Sequence, residues 1–153
     1  MDERLLADSM QKFGDSVLRA SFSVTGNRSD AEDVFSDVFF TLWQLQKSFA
    51  SETHLKAWLL RIAVNKAKNV RKLAVNRRNA ELSENIPAPE TIFVSEVAEA
   101  MERLKPDERI VLYLHYYEGY TYGEIADTLL LRETSVRGKA LRARERMKEF
   151  LSE

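Results

Sequence analysis

The sequence predicts an all-α protein made of two small helical domains joined by a flexible linker. Three observations carry that prediction. Apolar residues recur at helical spacing along nearly all of the 153 residues, and no stretch alternates convincingly from one residue to the next. The pattern breaks at residues 80–92, where Asn85-Ile86-Pro87-Ala88-Pro89 has no place inside a helix, because proline lacks an N–H and restrains its predecessor. The charge is segregated along the chain rather than mixed. The expected domains are therefore 1–79 and 93–153, with 80–92 as the linker.

A first helix is expected over about 2–25, with Phe13, Val17, Leu18 and Phe22 turned inward. Gly26-Asn27-Arg28-Ser29 reads as a turn. Asp30 is the expected cap of a second helix over about 30–47, where Val34, Phe35, Val38, Phe39, Leu42 and Leu45 form a wide apolar stripe. After a short loop at 48–53 comes the most informative stretch of the chain, WLLRIAVNKAKNVRK at 58–72. At about 100° per residue, Trp58, Arg61, Asn65, Lys68, Asn69 and Lys72 share one face, and Leu59, Ala63, Ala67 and Val70 share another. One side suits a core. The other presents cations, amides and an aromatic ring, the groups that hold phosphates and stack on unpaired bases.

The charge supports that reading. Residues 54–80 hold eight Lys/Arg and no Asp/Glu, whereas 81–131 hold three basic and eleven acidic residues, and 132–153 hold seven basic and four acidic. Two basic segments separated by an acidic one suggest two contacts with a polyanion.

In the second half, one helix is expected from near Ile92 to about Leu104. Pro106 suits the first turn of the next, with Asp107 and Glu108 near its N-terminal dipole. That helix contains Ile110, Val111, Leu114 and Tyr117, and Glu118-Gly119 ends it. Thr121 caps a helix over about 122–129 containing Ile125, Ala126 and Leu129. A turn at 130–132 leads to a basic helix running to about Leu151. Two short helices joined by a tight turn, the second one basic, form the helix-turn-helix pattern. On the last helix Val136, Ala140, Ala143 and Met147 make the buried stripe. Thr134, Gly138 and Leu141 lie opposite, flanked by Arg137 and Arg144 on one edge and by Lys139, Arg142 and Arg146 on the other. A small or apolar centre with basic flanks fits a major groove. Leu129-Leu130-Leu131 fills a turn where glycine often supplies a left-handed residue.

Several classes are disfavoured. The chain has no Cys, so disulfides and thiolate metal sites are excluded. Its two imidazoles, His54 and His115, are far apart in sequence, which argues against a metal enzyme; no cofactor is expected. Apolar runs fall far short of the roughly 18 residues of a membrane span. Met1-Asp2-Glu3 is wrong for a signal peptide, so a cytoplasmic protein is expected.

Three motifs occur in order: Asp30-Ala31-Glu32-Asp33-Val34 continuing to Phe39; Ala57-Trp58-Leu59-Leu60-Arg61-Ile62-Ala63-Val64-Asn65; and Tyr120-Thr121-Tyr122-Gly123-Glu124-Ile125-Ala126 with Ser135-Val136-Arg137 and Leu141-Arg142-Ala143-Arg144. Together they resemble the extracytoplasmic-function (ECF) sigma factors of bacterial RNA polymerase, across essentially the whole chain. The resemblance implies a transcription initiation factor, not an enzyme, that binds core polymerase, directs it to specific promoters and assists melting. It implies that the 30–42 helix docks on the clamp helices of the largest subunit through Asp33, Ser36, Asp37 and Phe40, Ser36 standing where the family often has Gln. The loop at 46–54 and the Trp58 helix would handle the -10 element. Phe49 would line the pocket of an unpaired base, Arg61, Asn65, Lys68, Asn69 and Lys72 would contact DNA, and Trp58 would mainly pack the bundle. The -35 element would be read by Thr134, Arg137, Gly138, Lys139, Leu141 and Arg142, with Leu141 suited to a thymine methyl. The resemblance also implies a contact with the flap of the second-largest subunit. The linker, with Glu81, Glu84 and Glu90, would thread through the polymerase. An anti-sigma partner is common in the family. Two rivals remain: a conventional helix-turn-helix regulator acting without polymerase, and an interaction protein whose apolar faces bind only protein. The all-basic Trp58 helix argues against the first.

Overall fold

The computed structural model describes residues 3–45, 47–80 and 96–152, and among them every regular element is helical. The chain divides into two compact units, Met1–Pro87 and Ala88–Glu153. The linker residues 81–92 and the first residues of the helix expected near Ile92 lie outside the described residues.

The first unit is built from α1 (Glu3–Thr25), α2 (Arg28–Gln44) and α3 (Glu52–Ala80), each packed on the other two. α1 buries Val17, Ala20 and Val24 together with the small residues Ser9, Gly14, Ser21 and Ser23. The buried serines are satisfied within the helix. Ser9, Ser21 and Ser23 donate to the carbonyls of Leu5, Val17 and Arg19 at 2.8, 2.7 and 2.9 Å. Gly14 lets the helices close up: a Cβ there would stand 3.3 Å from the Phe35 ring.

The cap of α2 differs from the expectation. Asn27, not Asp30, is the N-cap, and its side-chain oxygen accepts the Asp30 N–H at 3.0 Å. A short amide on extended backbone reaches that N–H directly, which leaves Asp30 inside the first turn, where its charge still favours the dipole. α2 buries Ala31, Val34, Val38, Phe39 and Leu42. α3 begins at Glu52, inside the expected loop, and runs 29 residues. It buries Leu59, Leu60, Ala63, Val64 and Ala67, while Val70 is half-buried. Leu60 and Val64 widen the expected stripe, because α1 and α2 both lie against α3. Full burial of Leu59 and Leu60 contributes about 1.5–3 kcal/mol each.

The second unit comprises α4 (Glu96–Glu102), α5 (Pro106–Leu112), a π-helical turn (Tyr113–Tyr117), α6 (Tyr122–Leu129) and α7 (Glu133–Ser152). α7 is the spine, packed on α4, α5 and α6. Val136, Ala140 and Ala143 are fully buried, the stripe expected from the sequence, and Met147 packs partly buried against the cluster of Met101, Leu104, Leu112 and Ala143. The helix expected to run on from Pro106 as far as Glu118 instead passes into the π-helical turn, where Tyr117 is 56% exposed. There the Glu118 N–H reaches the Tyr113 carbonyl at 3.2 Å, the bond that closes a π-helical turn. Thr121 caps α6 as expected. Leu130 supplies the left-handed residue of the following turn, with φ 56° and ψ 46°.

Candidate nucleic-acid interface

Helical phase sorts α3 into a core side and an outer side. Asn65, Lys68, Asn69 and Lys72 are exposed, and Arg61 and Trp58 are half-buried. The Trp58 ring packs on Phe49 at 5.6 Å between centroids, tilted 59°. Phe49, with the Lys47 ammonium 5.9 Å from its ring centre, borders a hollow of about 550 Å³ that is also lined by Lys12, Phe13, Ser48 and Ser51. Lys12 is bound by Glu52 at 2.6 Å and by Asp8 at 3.2 Å. Those two carboxylates hold its amine above the ordinary lysine value. The α2–α3 loop thus brings an aromatic wall, hydroxyls and a cation to one opening beside the basic helix.

α2 shows a second chemistry on its outer side. Asp33, Ser36, Asp37 and Phe40 are all exposed, at spacings that place them on one face. Phe40 is 61% exposed and Trp43, one turn on, is 44% exposed. Sequence reasoning left Trp43 out. The available signal was its phase, since it points away from the Val34–Val38–Leu42 stripe and extends the Phe40 face. Asp37 also accepts a salt bridge from Lys66 of α3 at 3.0 Å.

In the second unit, the expected reading face of α7 is outward. Thr134, Arg137, Leu141 and Arg142 are exposed, and Gly138 and Lys139 are partly covered. Each basic edge is organised by other elements. On one edge Arg137 pairs with Glu133 at 2.8 Å and lies over the Tyr122 ring at 5.1 Å. Arg144, beside it, donates to the hydroxyls of Tyr116 and Tyr122. On the other edge Lys139 donates to Ser135 at 2.9 Å, while Arg142 and Arg146 turn toward Glu108 of α5. Gly138 belongs to the small or apolar centre of this face. In the structure its missing Cβ leaves room for Arg142, whose Nη1 would lie 3.3 Å from a methyl there.

α6 is held at its start by a reciprocal pair. Thr121 Oγ accepts the Glu124 N–H, and Glu124 accepts the Thr121 N–H, both at 3.1 Å. The Thr121 N–H holds the Glu124 carboxyl below its ordinary value. Beside α7 lies an apolar groove of about 520 Å³ between Met101, Leu112, Tyr116, Tyr117, Met147 and Leu151. Among the described residues, no cluster of His, Asp or Glu fits a metal ion, and no helix is long and apolar enough to cross a membrane.

Comparison with known proteins places these faces in a family context. The model of Sigma-70 region 2 matches residues 10–77, and that of Sigma-70, region 4 matches 95–147. The ECF RNA polymerase sigma-E factor of Escherichia coli (strain K12) is 32% identical, over 76% of this chain and 71% of that protein. RNA polymerase sigma factor NccH of Alcaligenes xylosoxydans xylosoxydans is 24% identical, over 98% of this chain and 88% of its own length. In fold, the chain is similar to the sigma factor RpoE from Bartonella quintana, solved in complex with the anti-sigma factor NepR. That match has a TM-score of 0.76 at 23% identity, covering 95% of this chain and 96% of the other.

Proposed function

The chain belongs to the ECF sigma factors of RNA polymerase, and from that premise we propose how its faces divide the work of initiation. As a sigma factor it binds core polymerase and directs it to specific promoters. In our reading the protein performs no chemistry of its own. The acidic and aromatic outer face of α2, Asp33, Ser36, Asp37 and Phe40 with Trp43, docks on the clamp helices of the largest subunit. α3 and the loop before it hold the -10 element. An unpaired base enters the hollow beside Phe49, while Arg61, Asn65, Lys68, Asn69 and Lys72 contact its edges and the neighbouring phosphates. Unstacking a base costs a few kcal/mol, which such contacts must offset.

α7 enters the major groove of the -35 element through Thr134, Arg137, Gly138, Lys139, Leu141 and Arg142. In our reading the apolar groove beside α7 receives the flap of the second-largest subunit, as an apolar groove can receive the apolar face of a helix. Residues 1–79 and 93–153 serve as the two promoter-reading domains. An anti-sigma factor, the kind of partner with which the similar Bartonella quintana protein was solved, would in our reading act on this chain by covering these same faces.

The observation that carries the reading is the opposition of faces on α3: a fully apolar inner side and an outer side of amides and cations. A sensor or dimerisation domain has no need of such a helix. Reconstitution with core polymerase tests it. Promoter-specific transcription is the expected outcome. Binding of a palindromic operator by the chain alone, with no effect on polymerase, would favour a conventional regulator instead.

A further inference from the structure

α5 sends one carboxylate into the interior of the second unit. Glu108 is 2% exposed, and acidic side chains are almost never so deeply buried unless they are paired. Its Oε1 accepts the Lys105 backbone N–H at 3.2 Å and lies 3.3 Å from Nη1 of Arg146. Its Oε2 lies 3.9 Å from Nε of Arg142. Two arginines one turn apart on the same edge of α7 therefore converge on one buried anion. Capping the start of α5 requires only a neutral acceptor; convergence of two cations requires the charge.

Gly138 provides the second observation. Helical side chains lean back toward the N-terminus, so Arg142 lies over position 138, and a methyl there would crowd its guanidinium at 3.3 Å. The guanidinium is thus constrained from the helix side by the bare backbone of Gly138 and from the α5 side by Glu108. The Arg142 side chain is still 55% exposed, so the pairing orients it without exhausting its donors.

We propose that Glu108 is a positioning residue for base recognition: it fixes the Arg142 guanidinium above Gly138 and so sets discrimination at the base pair that Arg142 faces. The proposal rests on the reading of α7 as the -35 reader. Its physical basis is pre-organisation. A planar fork already held in place loses less rotamer freedom when it binds a base edge. The same carboxylate repels nearby phosphates, so Glu108 gains selectivity at the expense of general affinity.

The test uses holoenzyme reconstituted with full-length chains carrying Glu108→Gln, Arg142→Ala, or both. Affinity is measured for the promoter, for single-base variants of the -35 element and for a random duplex. Glutamine keeps the acceptor for the Lys105 N–H. Glu108→Gln is expected to lose about tenfold in discrimination, at the base pair where Arg142→Ala loses it. Random-duplex affinity should stay level or rise, and the double variant should discriminate no worse than Arg142→Ala alone. Uniform weakening on every sequence, unchanged discrimination, or losses that add in the double variant would each overturn the proposal. If Arg142→Ala leaves -35 discrimination intact, the reading of α7 falls and this proposal with it; the other failures remove only the proposal. Should Glu108→Gln not fold, Gly138→Ala displaces the guanidinium from the opposite side. Discrimination is expected to drop at that same base pair, and an unchanged preference there overturns the proposal.

Discussion

Leu130 holds a backbone conformation that its side chain disfavours. A left-handed non-glycine residue costs about 1–2 kcal/mol, and at 71% exposure the leucine recovers little of that through burial. Leu130→Gly is therefore expected to stabilise the second unit by roughly 0.5–1 kcal/mol, part of the relief being lost to the greater freedom of an unfolded glycine. Urea unfolding measures this, and a lower midpoint would mean that the leucine side chain has a contact the fold needs. Asn65 lies at the centre of the outer face of α3. Asn65→Ala should slow open-complex formation with little effect on initial promoter docking, as followed by a fluorescent base in the -10 region; an unchanged opening rate refutes its role. At this scale the sequence was informative about faces and uninformative about partners. Phase alone placed Asn65, Lys68, Leu141 and Arg142 outward. Glu108 read as one more acid near a helix dipole, because its burial exists only once α7 lies across α5.

Among the elements, α6 depends visibly on its cap. The sign of its pH dependence follows from Glu124, whose carboxyl is held low by the Thr121 N–H. A depressed carboxyl contributes stability that is fully present above the unfolded value, near about 4.3, and is lost as pH falls through the folded value. Unfolding midpoints of the full chain should therefore decline on the acid side of about pH 5, and Glu124→Gln should flatten that part of the decline. An identical acid slope in the variant would show that the capping pair is not responsible. Helix existence and order were legible because apolar spacing repeats over many turns. Details of helix boundaries were not. Asn27 and Asp30 are both good capping residues, and only the backbone decides between them. The π-helical turn has no compositional mark, so an unbroken helix was expected where the turn puts Tyr117 on the exposed wall of the apolar groove.

For the whole molecule, the division into two helical units was legible from two prolines and a shift in charge. The assignment of function was legible because three motifs stood in order. What a linear reading could not supply was the traffic between faces, since that depends on which helices become neighbours. The salt bridge from Lys66 to Asp37 is such a case. One carboxylate lies between a helix we assign to polymerase and a helix we assign to DNA, so each ligand competes with the bridge for one end of a single pair. If polymerase cations capture Asp37, Lys66 is released toward phosphate, and thermodynamic reciprocity requires bound DNA to tighten the grip on polymerase by the same factor. The ceiling on that cooperativity is low, because an exposed pair is worth about 0–1 kcal/mol, or at most roughly fivefold in affinity. Asp37→Asn should therefore raise the affinity of the free chain for a single-stranded -10 oligonucleotide by no more than that factor. No change would mean that the bridge is a passive strut, and that the two docking events do not communicate through it.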